Sequence, residues 1–296
     1  MKLELLFRLF VINAMVKVNQ EETIIGDMYK YNKDNPLRVF TAFAGYDSQC
    51  LALDRLKNNF PDFDYKLVGW SEIDKHAIIA HDALFADAKE LNYGDICKIS
   101  WEEVPDFDLF TYSFPCTDIS NAGLQQGLSR DSGTRSSLLW ECEKAIRIKR
   151  PKYLLMENVK ALVQKKFIKD YHAWVSLLDS YGYSSWGKVL NASQYGIPQN
   201  RERIFLVSIR IDGLESFTPE FQYHFPKPFP LEKRLKDVLE DHVDEKYYLS
   251  DKMLEYFNRV NDDKSHGHNF TPNDGGYCLC NKNGTRQPSG RQLFQD

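Results

Sequence analysis

Three short blocks carry residue types that can do chemistry together. The first is Phe114-Pro115-Cys116, directly after the apolar run Asp108–Phe114. A thiolate is a strong nucleophile, but free cysteine has a pKa of about 8.5, so a working thiol needs a polarising site. A lone Cys is more often a small buried hydrophobe. A Pro-Cys pair in a loop at a strand end instead lets the side chain face a cleft. The second block is Met156-Glu157-Asn158-Val159, closing another apolar run. Burial beside such a strand would raise the carboxyl pKa of Glu157 towards that of a general acid, against the ordinary reading of a Glu near a helix start. The third block is Tyr195–Arg203. Its Gln199-x-Arg201-x-Arg203 runs into a strand, where alternation puts all three side chains on one face. That is a donor array for a carbonyl oxygen and for phosphates, although Arg201 by itself would pass for a surface residue.

A second set of residues suits a small-molecule site. Phe43-Ala44-Gly45-Tyr46-Asp47 lies between a strand and a helix, where Gly45 permits a tight turn and close backbone approach. Glu72, followed by Ile73, ends the second strand, where a carboxylate accepts from ribose hydroxyls. Asp95 follows Gly94 at the next strand position and can accept from an adenine amino group. Each is weak alone, since one Gly and two acids occur in most α/β folds. In this order they describe an adenosine site. The loop lacks G-x-G-x-x-G, so S-adenosyl-L-methionine, which has no phosphate to cradle, fits better than a dinucleotide.

Positioning these residues takes a repeating strand–turn–helix pattern, which begins after Pro36. The sequence predicts strands over Arg38–Ala44, Lys66–Ile73, Asp108–Phe114 and Tyr153–Met156. It predicts helices over Ser48–Asn59, around Lys75–Leu84, and over Arg135–Lys149 and Phe167–Tyr181. Ser184–Asn191 and Ile204–Ile209 read as a closing antiparallel pair. Such alternation argues for an α/β fold with a mostly parallel sheet and helices on both faces. Ligands then bind outside the carboxyl ends of the strands, where the residues above fall. Past Asp212 the pattern degrades: Pro219, Pro226, Pro228 and Pro230 punctuate loops, and Leu231–Leu239 is expected to be helical.

Composition bounds the rest. The 296 residues are 43% hydrophobic, enough for one large domain with a smaller appendage. A net charge of -4 does not advertise a nucleic-acid partner, so positive charge must be concentrated locally. Arg147, Lys149, Arg150 and Lys152 form one cluster, and Lys160, Lys165, Lys166 and Lys169 another; solvated helix faces account for both on charge alone. The six cysteines show neither disulfide-scaffold spacing nor a zinc pattern, which fits a reduced cytoplasmic protein with no metal. Residues 3–16 are apolar, but Glu4 and Arg8 interrupt them and no small-x-small site follows. The run is too short to span a bilayer, so it reads as an extra helix or as sequence upstream of a start at Met15 or Met28.

Phe43-Ala44-Gly45, Glu72, Asp95, Pro115-Cys116, Glu157-Asn158-Val159 and Gln199-x-Arg201-x-Arg203, in this order, resemble the cytosine carbon-5 DNA methyltransferases of bacteria and phages. Ile119–Leu139 resembles that family's mobile active-site loop. The match covers Arg38–Arg210 continuously and is specific because so many blocks co-occur in order. The resemblance implies a Rossmann-like S-adenosylmethionine-dependent methyltransferase fold over residues 37–213, an N-terminal extension over 1–36 and a partial, loop-rich target-recognition region over 214–296. It implies that Phe43, Ala44, Gly45, Tyr46, Glu72, Ile73, Asp95 and Pro115 hold the cofactor. Cys116 would attack carbon 6 of a flipped cytosine, Glu157 would hold ring nitrogen 3, and Arg203 would contact the carbonyl oxygen. Arg201 would support the loop, and Ser120, Asn158 and Gln199 would contact the substrate. A monomer acting on double-stranded DNA, in a restriction-modification or phage-protection context and in the cytoplasm, is the expectation. Three departures stand out. Asp47 replaces a second glycine, and neither the family's recognition block after 213 nor its terminal Gly-Asn segment is visible. The resemblance therefore also admits a truncated, inactive DNA- or cofactor-binding remnant, or a transfer-RNA cytosine methyltransferase with the same pocket chemistry.

Overall fold

The computed structural model describes residues 31–115, 138–211, 223–238, 244, 250 and 252–253. Alternating apolar runs form β1 (Leu37–Ala42), β2 (Tyr65–Ser71), β3 (Leu109–Tyr112), β4 (Tyr153–Val159), β5 (Tyr183–Asn191) and β6 (Glu202–Arg210). They make one sheet in the order β2-β1-β3-β4-β6-β5. The first four are parallel, and β6 runs antiparallel to β4. Bonds from Ile211 to Gly182 and from Ser185 to Ser208 show β5 antiparallel to β6, as the sequence predicts.

The helices are α1 (Ser48–Asn59), α2 (Lys75–Leu84), α3 (Leu139–Lys149) and α4 (Ile168–Ser180). On one sheet face the period-2 residues Phe40, Ala42, Phe110, Tyr112, Leu154, Met156, Ile204 and Leu206 point into a single core. Leu139, Cys142, Ala145 and Ile146 of α3 and Trp174 and Leu178 of α4 cover them. Each fully buried large side chain contributes about 1.5–3 kcal/mol by leaving water. On the other face Val39, Thr41 and Thr111 are buried, as are Cys50, Ala52, Leu53 and Leu56 of α1.

Three strands stop short of the predicted ends, for local reasons; β1 ends at Ala42, where Phe43 turns left-handed. Beyond Ser71 the amides of Glu72 and Ile73 turn to side chains, bonding Asn92 Oδ1 and Glu72 Oε1 instead of a neighbouring strand. Beyond Tyr112 the chain approaches Pro115, which has no N–H to give a ladder. Asp95 is not on a strand. It caps a short 3-10 turn, Ile96–Lys98, while a single bridge from Trp70 to Asn92 ties the segment to β2.

The basic cluster at 147–152 serves the fold. Arg147 pairs with Glu143, Lys149 pairs with Asp106, and Arg150 ends α3 in a left-handed conformation and donates to the Tyr181 carbonyl. Lys165, Lys166 and Lys169 are exposed, beyond the carboxyl end of β4.

Chain contacts divide the protein into two compact units. One holds the described residues up to Leu190 with those of Glu202–Lys227; the other holds Asn191–Arg201 with the described residues from Pro228 on. In the second unit the buried Tyr195 meets Phe229 edge-on at 6.0 Å, and the Phe229 amide bonds the Gln194 carbonyl. Leu235–Val238 forms only a 3-10 turn where the sequence predicts a longer helix. Asp237 caps it by accepting from the Arg234 amide.

Candidate functional site

The turn after β1 is built from three left-handed residues in five: Phe43, Gly45 and Asp47, with φ of 56°, 59° and 56°. Only glycine adopts that region freely. A Cβ added at Gly45 would meet nothing within 4 Å, so there is open space beside this backbone for a ligand. Ala44 donates to the Ser71 carbonyl, which anchors the turn to β2. Gly45 donates to Glu72 Oε2 at 3.0 Å, while Glu72 Oε1 accepts from Ile73 and Asp74 at 2.7 and 2.9 Å. The Glu72 carboxylate is thus locked in place by three backbone amides. A carboxylate oxygen has more than one lone-pair site, so each can still accept from a ligand hydroxyl.

Asn92 latches the next segment on. Its Oδ1 accepts from Glu72 and Gly94 amides, its Nδ2 donates to the Glu72 carbonyl, and Ser71 Oγ donates to the Gly94 carbonyl. Asp95 follows, with Oδ1 accepting from Cys97. Ile73 is 69% exposed and Tyr46 41% exposed. Acid acceptors beside exposed apolar surface suit the hydroxyls and flat ring of a nucleoside. None of the turn residues is a Lys or Arg that would meet a phosphate. The donor and acceptor set fits S-adenosyl-L-methionine.

At the carboxyl end of β4, Asn158 is buried. Its Nδ2 donates to the Phe114 carbonyl at 3.1 Å and its Oδ1 accepts from Val159. It therefore fixes the backbone that leads into Pro115, rather than presenting a free amide. Glu157 lies on the opposite face of β4, with its side chain 14% exposed. Val159 is registered against Arg203 and Glu157 against Phe205, so Arg203 and Glu157 are diagonal neighbours across the antiparallel pair. Arg203 Nε stands 3.1 Å from Glu157 Oε1, an ion-pair distance, but the geometry is not that of a hydrogen bond and Oε1 has no other partner. Arg203 Nη1 donates to the Glu202 carbonyl at 2.8 Å, so Arg203 is held in place while Glu157 Oε1 keeps no hydrogen bond.

Gln199 and Arg201 belong to the second unit. Gln199 is buried, and the Arg201 amide bonds Asn191 Oδ1 while its carbonyl accepts from Ala192. Arg201 Nε is buried with no hydrogen-bond partner. Cys116, Ser120 and the loop up to residue 137 lie outside the described residues. Among the described thiols, burial raises the pKa of Cys50, Cys142 and Cys97, with Asp47, Glu141 and Asp95 adding to it respectively; Cys50 and Cys142 are buried and Cys97 is exposed.

Sequence reading passed over Asn92 and Asn191, whose side chains hold the cofactor-end turn and the Gln199–Arg201 segment. The signal was there for Asn92: an Asn two residues before a Gly marks an Asx turn. For Asn191 nothing local distinguished a latch from a strand-end polar residue.

The sequence profile of C-5 cytosine-specific DNA methylases matches residues 37–291, well past Arg210, where the motif resemblance ends. Type II methyltransferase M2.ScrFI of Lactococcus lactis subsp. cremoris is 39% identical over 74% of this chain and 71% of its own. Orphan methyltransferase M.SssI of Spiroplasma monobiae is 34% identical over 76% and 70%. Among solved structures, a DNMT2 variant from Spodoptera frugiperda shares the fold, with a TM-score of 0.55 and 19% identity over 75% of this chain. The chain spans 65% of that protein's length.

Proposed function

The chain belongs to the C-5 cytosine-specific DNA methylase family, and on that premise we propose that it methylates carbon 5 of cytosine in double-stranded DNA. The observation that carries this reading is the Glu157–Arg203 pair at the end of β4, one strand away from the backbone that Asn158 holds ahead of Pro115-Cys116. A carboxyl and a guanidinium side by side match the ring nitrogen 3 and the neighbouring carbonyl oxygen of cytosine, which are also adjacent.

In this reading the target base leaves the helix, at a cost of a few kcal/mol of lost stacking and pairing. The Cys116 thiolate then adds to carbon 6, and Glu157 holds a proton at nitrogen 3 so that the electron pair arrives at carbon 5. Arg203 donates to the carbonyl oxygen, and Ser120 and Gln199 contact the extruded nucleotide. Bound S-adenosyl-L-methionine supplies the electrophilic methyl group. Glu72 would accept from its ribose hydroxyls and Asp95 from its adenine amino group, with Ile73 and Tyr46 also holding it. Loss of the carbon 5 proton and expulsion of the thiolate from carbon 6 restore cytosine aromaticity and free Cys116. Lys165, Lys166 and Lys169 give the chain local positive charge for phosphates, which the net charge does not.

The test incubates the chain with tritiated S-adenosyl-L-methionine and mixed-sequence duplex DNA, beside matched RNA and the Cys116→Ser variant. Label on DNA cytosine that disappears with Cys116→Ser supports the proposal. Label on RNA alone moves the substrate to RNA, and equal label from both proteins removes Cys116 as nucleophile.

A further inference from the structure

The residue that replaces a glycine in the cofactor turn is not a passive substitute. Asp47 is fully buried and left-handed, a conformation that costs a non-glycine residue about 1–2 kcal/mol. Both oxygens of its carboxylate are held by this chain. Oδ1 accepts from the Cys50 amide at 3.0 Å and so caps α1, and Oδ2 accepts from Thr41 Oγ1 at 2.7 Å. Its backbone N–H bonds the Ala44 carbonyl at 2.8 Å, closing the turn that presents Gly45 to Glu72.

Behind this carboxylate lies a second buried polar group with no assigned role. His81, in α2, has no exposed surface, stacks on Trp70 at 3.6 Å and 14°, and makes no hydrogen bond through either ring nitrogen. A buried imidazole with both nitrogens unsatisfied is costly and calls for an explanation. Its Nε2 lies 3.6 Å from Asp47 Oδ2. That is beyond a good hydrogen bond, but it sets the edge of the buried ring against the carboxylate oxygen. Trp70 fixes the ring: its indole N–H donates to the Ala88 carbonyl, so the surface His81 stacks on is itself immobile.

We propose that His81 is a positioning residue for cofactor binding, acting through Asp47. The stacked ring orients the Asp47 carboxylate. The carboxylate sets the Phe43–Asp47 turn, and the turn sets the Gly45–Glu72 contact at which the nucleoside is held. Neither side chain touches the ligand. The proposal rests on the cofactor assignment made above, so its test carries a separate control for that assignment.

Cofactor affinity is measured by calorimetry with S-adenosyl-L-methionine on the full chain, alongside thermal melting. The variants are His81→Phe, which keeps the stacking and removes the nitrogens, Asp47→Asn, their combination, and Glu72→Ala. Contacting groups couple by amounts equivalent to roughly 2- to 100-fold in affinity. His81→Phe and Asp47→Asn should therefore each weaken binding about tenfold, and the double variant should be little worse than either single. His81→Asn, which retains a donor, should recover part of the loss. Where a variant melts below the assay temperature, Asp47→Gly replaces it, since glycine accepts the left-handed turn without the carboxylate. Multiplicative losses in the double variant, or a lowered melting temperature with unchanged affinity, overturn the role of His81. If Glu72→Ala also leaves affinity unchanged, the cofactor assignment itself fails, and the role of His81 fails with it.

Discussion

The two halves of the candidate site are held by different physics. At the β1–β2 edge, side chains are bonded to backbone: Glu72 to three amides, Asn92 to Glu72 and Gly94, and Asp47 to Cys50, with the Thr41 hydroxyl as a further donor to Asp47. At the β4–β6 edge, Glu157 and Arg203 meet as an ion pair without a hydrogen bond. Side chains held by several bonds make a rigid cradle that loses little entropy when a ligand arrives. The Glu157 Oε1 acceptor, which carries no hydrogen bond, can turn to a base. The contrast fits a site that grips one ligand in a preformed turn and adapts to another.

The comparison breaks most visibly if chemistry survives without the reactive groups. Cys116→Ser should cut tritium transfer to duplex DNA by at least about 10³-fold while leaving the melting curve in place. Glu157→Gln should lower turnover by about 10²- to 10⁴-fold, as expected for loss of a proton-holding group, with cofactor affinity unaltered. A fall in cofactor affinity of the same size would mean the two edges are not separate. Glu72→Ala should do the reverse, weakening cofactor binding by about 10- to 100-fold, the value of hydrogen bonds to a charged acceptor, with DNA binding unchanged. Calorimetry against gel-shift titration separates the two.

Smaller effects sharpen the structural half of the contrast. Asn158→Ala leaves the Phe114 carbonyl without its buried donor, and should cost about 1–3 kcal/mol in chemical denaturation. Tyr65, on β2, donates to Asp54, and its pKa is raised well above the ordinary value, chiefly by burial and then by Cys50 and Asp54. The folded state then keeps a proton that the unfolded chain releases, so this contribution is intact below pH about 10 and declines above it. Tyr65→Phe should flatten the alkaline limb of a stability–pH curve slightly; Tyr112, also raised by burial, leaves part of the slope in place.

Much of this was legible beforehand. The strand–helix alternation, the antiparallel closing pair and the position of Glu157 follow from residue periodicity, because apolar spacing directly reports which face is buried. The sequence puts Asp95 at a strand position because a turn stapled by one bridge and an Asn side chain has no periodic signal. Charge alone predicts a solvated face for the basic cluster at 147–152, whereas Arg150 and Lys149 hold the fold through partners more than 30 residues away. Charge composition cannot reveal such partners.

By itself, then, the sequence determined the family, the parallel α/β core and the residue types available for chemistry, since these depend on local pattern and on blocks kept in order. Tertiary structure decided how those residues are used. Only the fold brings Asn158 to the Phe114 carbonyl, sets Arg203 3.1 Å from Glu157, and closes a histidine against the aspartate of the cofactor turn. Hydrogen bonds and ion pairs need positions good to a few tenths of an ångström, and such positions arise from packing between segments far apart in the chain.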